Sequence, residues 1–68
     1  MFGTDSAPLP AVRRRRALSL LQSVGAVKCQ DLQEEFHISA ATARRDIAAV
    51  VRRGHGVRVY GGAVVNDR

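Results

Sequence analysis

The sequence predicts a small, mainly α domain of three helices followed by a β-hairpin. Three observations carry that expectation. Apolar residues recur at helical spacing in three separate stretches. Pro10 and Ser39 stand where two of those helices should begin. Two short β-prone runs flank Gly61-Gly62 near the end of the chain. Its 68 residues hold one domain of this kind, and a chain that short buries only roughly 60% of its unfolded surface. A single cysteine, Cys29, excludes an internal disulfide, so the core must come from well-patterned helices.

Residues 1–10 lack periodicity and contain both prolines, which reads as a flexible lead-in to a domain over 11–65 with a tail at 66–68. Pro10 suits a first helical turn, where its missing N–H costs nothing. Ala17, Leu20, Leu21 and Val24 then fall at i, i+3, i+4 and i+7, forming one stripe of a helix that ends at Gly25. Ala26-Val27-Lys28 has room only for a connector or a brief strand. A second helix over 30–36 sets Leu32 and Phe36 on its dry side and Asp31, Glu34 and Glu35 on its wet one. After a break at His37-Ile38-Ser39, Ser39 caps a third helix reaching about Arg53. Ala43, Ile47, Val50 and Val51 share its inner face, and Ala41, Arg45, Ala48 and Arg52 the outer one. Gly54-His55-Gly56 ends it. Val57–Tyr60 and Ala63–Val65 then pair as a hairpin, with positive φ supplied by Gly61-Gly62.

Ten of the eleven basic residues are arginine, and the net charge is +5. That excess, with a pI near 11.1, selects a polyanionic partner. A hydrophobic content of 46% argues against global disorder. No apolar run approaches the roughly 18 residues of a membrane span and no cleavable signal is evident, so a cytoplasmic protein with no membrane partner is expected. Cys29, His37 and His55 cannot assemble a metal site, and no cofactor is expected. Ser39, His37 and Asp46 could be drawn as a catalytic triad, but they lack an oxyanion framework. With no room for a deep pocket, the chain is not expected to be an enzyme. Two Phe and one Tyr are too few for an RNA-stacking platform.

A short acidic helix, a tight break and a basic helix make the arrangement of a helix-turn-helix, and the hairpin behind it adds a wing. The stretch Ser39-Ala-Ala-Thr42-Ala-Arg44-Arg45-Asp46-Ile47 resembles the recognition-helix signature of DeoR-type bacterial transcriptional regulators. Arg58-Val-Tyr60-Gly61-Gly62-Ala63 is similar to that family's R-x-(H/Y)-G-G-A wing, and the likeness extends over 13–65. The resemblance implies a three-helix winged helix-turn-helix that binds double-stranded DNA for a regulator, as a repressor. It also implies a larger effector domain outside this chain, sensing a phosphorylated sugar or similar metabolite, and a homo-oligomeric full-length protein. Four positions depart from the family pattern: Ala17 for a larger aliphatic, Lys28 for a capping Ser/Thr, His37 for the turn glycine, and Gly56 at an apolar strand position. Each is expected to weaken its element by about 0.5–1 kcal/mol.

The DNA-contacting residues expected on the third helix are Ser39, Ala40, Ala41, Thr42, Arg44 and Arg45, all small or cationic, with Arg58, Tyr60 and Gly61 on the wing. Arg44 and Arg45 suit phosphates or guanine edges; the competing role is a surface salt bridge to Asp46 or Glu35. Thr42 suits the backbone or a thymine methyl, and Tyr60 either DNA or packing on the first helix. Asp46, which DNA would repel, is read as orienting a neighbouring arginine. The run Arg13–Arg16 girdles its helix rather than forming one face, with Arg13 and Arg14 laying their stems over the core and Arg15 pointing outward. Arg15 and Lys28 are secondary candidates for the backbone. Arg52 and Arg53 suit the helix C-terminus regardless of function. The rival functional class is a winged helix used as a protein-interaction module, which the alanines of the outer face would accommodate.

Overall fold

The computed structural model describes residues 9–66. Six elements follow in order: α1 (Pro10–Ser23), β1 (Ala26–Lys28), α2 (Cys29–Phe36), α3 (Ala40–Arg52), β2 (Val57–Val59) and β3 (Gly62–Val64). They form the expected mainly helical winged helix-turn-helix, three helices with a small antiparallel sheet. Residues 1–8 of the expected lead-in and residues 67–68 of the tail lie outside the described residues.

Pro10 occupies the first turn of α1. Ala17 and Leu21 of the expected stripe are buried and Leu20 half-buried, but Val24 is 70% exposed. The helix stops at Ser23, so Val24 is a cap residue beyond its last turn and lies outside the core. Ala17, despite its size, is fully buried in the core.

Helix α2 starts one residue earlier than expected, at half-buried Cys29. The Lys28 ammonium has no lone pair with which to cap it. The helix is instead tied from the other side, where Asp31 Oδ2 accepts the Lys28 backbone N–H at 3.0 Å. Only one half of a reciprocal cap is missing. His37 closes α2 in the left-handed region at φ 56°, a conformation that disfavours any side chain with a Cβ. Ser39 caps α3 as expected, its Oγ accepting the Thr42 N–H at 3.1 Å. Ala43, Ile47 and Val50 face inward with Val51 half-buried beside them.

Ala26-Val27-Lys28 is a strand, and it completes a three-stranded antiparallel sheet of order β1-β3-β2. The hairpin loop is Tyr60-Gly61, not Gly61-Gly62: Val59 pairs with Gly62, and only Gly61 takes positive φ, at 82°. Gly62 is required for a different reason. A Cβ there would lie 2.1 Å from the Val27 carbonyl oxygen, because β3 runs tightly against β1. Gly56, expected to be a weak point, is likewise a packing requirement. Its Cβ would meet the Val64 carbonyl oxygen at 2.7 Å and Leu21 Cδ1 at 3.3 Å.

The core lies where the helices meet the sheet: Ala17, Leu21, Val27, Leu32, Ile47 and Ala63 are each no more than 1% exposed. Leu18, Leu20, Phe36 and Ile38 pack around it. This leaves the outer side of α3 and the tip of the hairpin uncovered.

Candidate nucleic-acid interface

Helix α3 has two contrasting sides. Ala41, Arg44, Arg45 and Arg52 are exposed, with Ala40, Thr42 and Ala48 half-buried at their margins. Ser39 and Thr42 are partly committed to the cap, since Ser39 Oγ also donates to Thr42 Oγ1 at 3.1 Å. Neither Arg44 nor Arg45 has a carboxylate within 4.0 Å among the described residues. Glu35 and Asp46, the competing partners expected for them, are both engaged by α1. Glu35 accepts from Arg16 Nε at 3.0 Å, and Asp46 is held by Arg13 and Arg14.

The second engagement goes beyond the orienting role expected of Asp46. Asp46 is fully buried on the inner side of α3. Its Oδ2 accepts from Arg13 Nε at 2.5 Å, and its Oδ1 from Arg14 Nε at 3.0 Å. Arg13 is itself buried, 8% exposed, while the Arg14 side chain is 39% exposed. Asp46 does orient arginines from the protein side, but they come from α1, not from its own helix. The pair fastens α1 across α3, so the outer face of α3 sits on a fixed base. A cue was present in the sequence: Arg13 stands four residues before Ala17, and Asp46 lies between Ala43 and Val50 at helical spacing. Each falls on an apolar stripe, and they are of opposite sign.

The wing is tied just as directly. The Gly61 carbonyl accepts the Cys29 N–H at 2.8 Å, joining the hairpin loop to the first residue of α2. Tyr60, at the loop, is 105% exposed and does not pack on α1. Arg58 pairs with Ala63 and shares its sheet face, so it projects on the helix side of the wing and is exposed. Gly61, Lys28 and Arg15 are also exposed. The four arginines of α1 disperse as expected: Arg13 inward, Arg14 at the seam, Arg15 outward and Arg16 toward α2. Arg52, absent from the expected contacts, lies on the same outer line as Ala41, Arg45 and Ala48.

Among the described residues, no three His, Cys, Asp or Glu side chains gather to hold a metal ion. No helix among them is long and apolar enough to cross a membrane.

Residues 13–68 match the model of the DeoR-like helix-turn-helix domain. The chain is also 36% identical over 55 residues to a protein of Escherichia coli O157:H7 named for transcriptional repression of the aga operon. That match takes in 81% of this chain but 20% of the relative, so the chain spans about a fifth of the relative's length. No solved structure matches it. Two ordered motifs, an intact winged helix-turn-helix and a family match over most of the sequence agree: this chain belongs to the DeoR family of helix-turn-helix DNA-binding regulators.

Proposed function

We propose that this chain is the DNA-reading domain of a transcriptional repressor, binding double-stranded DNA sequence-specifically as one half-site reader of a homo-oligomer. The observation that carries the proposal is the outer face of α3. It presents cations with no carboxylate within 4.0 Å among the described residues, interleaved with alanines that allow close approach. In this reading α3 enters the major groove with Ser39, Ala40, Ala41, Thr42, Arg44 and Arg45 nearest the bases and their flanking phosphates. Arg58, Tyr60 and Gly61 bring the wing to the backbone beside it, and Lys28 and Arg15 add phosphate contacts. Phosphate contacts supply most of the affinity and the third helix the choice of sequence. The domain occupies residues 11–65. The remainder of the full-length protein supplies oligomerisation and a site for a phosphorylated sugar or similar effector. The cytoplasm is the setting such a repressor requires, and the domain is a binding module rather than an enzyme.

The test is duplex binding by the 68-residue chain, followed by fluorescence anisotropy across salt concentrations. About four neutralised phosphates give a slope of log K against log salt near −3.6. Arg44→Ala with Arg45→Ala should abolish preference for a selected sequence. Binding indifferent to salt, or unchanged by that double substitution, would assign the outer face to a protein partner instead. Selection from a random duplex library by the full-length protein should return a two-fold symmetric site whose spacing reports the oligomer.

A further inference from the structure

Between α1 and the C-terminal half of α3 the surface opens into a cleft of about 380 Å³. Arg14, Arg15, Arg53 and His55 line it, over an apolar floor that includes Leu18 and Ala49. Among the described residues, no carboxylate lines it. Behind it lies Asp46, but two guanidiniums already answer that single carboxylate, which leaves one positive charge in excess. Arg15 and Arg53 are exposed, and neither has a carboxylate within 4.0 Å among the described residues. Arg14 engages Asp46 through Nε while its side chain stays 39% exposed, so its terminal nitrogens remain able to donate. A concave wall of low dielectric concentrates the field of such a group.

The position of the cleft says which anion it suits. At 3.6 residues per turn, Ala49 and Arg53 continue the flank of α3 that begins at Thr42, next to the line through Arg45. A duplex that takes the outer face of α3 into its major groove must run one sugar–phosphate strand along each flank of that helix. The strand on the Thr42 flank is directed to the cleft. We propose that the cleft between α1 and α3 seats a DNA backbone phosphate, gripped by Arg15 and Arg53 with the terminal nitrogens of Arg14. This deepens, and rests on, the DNA-binding reading above. It gives Arg53 a second role beside helix capping, and it places the phosphate contact of Arg15 in a defined seat shared with α3.

The experiment measures binding of the 68-residue chain to a mixed-sequence duplex from low to physiological salt. Arg15→Gln and Arg53→Gln should each flatten the log K–log salt slope by about 0.9, and the double variant by about twice that. Arg53→Lys, which keeps the charge, should keep the slope. Arg16→Gln removes the same charge from the same helix, but on the side facing Glu35, and should leave the slope in place. Thermal melts by circular dichroism verify that each variant is folded. If the unaltered chain binds with a steep slope that Arg15→Gln and Arg53→Gln do not change, the cleft is not a phosphate site and the reading of α3 survives. A slope flattened equally by Arg16→Gln overturns the cleft too, because net charge alone would then explain it. Absence of any duplex binding by the unaltered chain overturns both.

Discussion

Asp46→Asn is the sharpest test of how this domain is held together. The substitution preserves shape and removes the charge from a side chain that is fully buried and shared by two guanidiniums at 2.5 and 3.0 Å. Arg13, 8% exposed, would be left with an amide where a carboxylate stood. Removing one member of a buried pair costs about 3–5 kcal/mol, because the other charge stays desolvated. A domain of this size has about 3–9 kcal/mol of total stability. Asp46→Asn should therefore consume a large part of it, while Arg14→Gln, at a side chain 39% exposed, should cost only about 0.5–1 kcal/mol. Replacing both buried partners, as Arg13→Met with Asp46→Leu, should recover most of the loss, since no unpaired buried charge remains and Arg14 can turn to water. The assay is urea unfolding followed by far-UV circular dichroism. With a slope of about 1 kcal/mol/M, the Asp46→Asn midpoint should fall by about 3–5 M. A midpoint within about 1 M of the unaltered chain, or a double variant as unstable as the single one, would refute the reasoning.

Three further outcomes follow from the same geometry. Gly62→Ala should destabilise by about 1–3 kcal/mol, because its Cβ would meet the backbone oxygen of Val27 at 2.1 Å; a thermal melt within 2 °C of the parent would contradict the packing of β3 on β1. His37→Gly should stabilise by about 0.5–1 kcal/mol, since relief of the left-handed strain at φ 56° exceeds the added entropy of the unfolded chain, and urea unfolding reads the sign directly. Arg44→Ala with Arg45→Ala should leave the melting temperature unchanged within error, as neither side chain holds a carboxylate among the described residues; a loss of several degrees would mean that these residues support the fold rather than a partner.

Most of the helical framework was legible because it follows from spacing and from strong local signals. Ser39 before an apolar periodicity, and proline at the head of α1, each carry their own mechanism. The misplacements have physical causes too. Val24 continues the apolar period of α1, but the helix ends before it, and periodicity carries no information about where a helix stops. Gly61-Gly62 looks like one turn, yet the two glycines answer different demands, a positive φ and a close approach of backbone. The second demand depends on β1, a strand of three residues too short to announce itself. Gly56 is the same lesson in reverse, a departure from pattern that the Val64 carbonyl makes obligatory. Of the candidate interface, which residues are exposed could be read from the helical wheel. Which acids would be unavailable to Arg44 and Arg45 could not, because that depends on how α1 lies across α3.

The dependence of α3 on α1 bears on what the arginine run is for. Four consecutive arginines suggest a single basic patch, but helical rotation disperses them. Arg13 and Arg14 neutralise Asp46, and Arg16 meets Glu35. In doing so they engage Asp46 and Glu35, and among the described residues Arg44, Arg45 and Arg52 have no carboxylate within 4.0 Å. A buried ion pair is a poor source of stability compared with well-packed apolar residues of the same volume. Its value here lies in geometry: Arg13 and Asp46 fix the register of α1 against α3, and the Cys29–Gly61 hydrogen bond at 2.8 Å fixes the wing against α2. The helix and the wing are thereby presented at a set separation before any ligand arrives. A rigid surface of this kind gives up less conformational entropy on binding than one that must assemble around its partner.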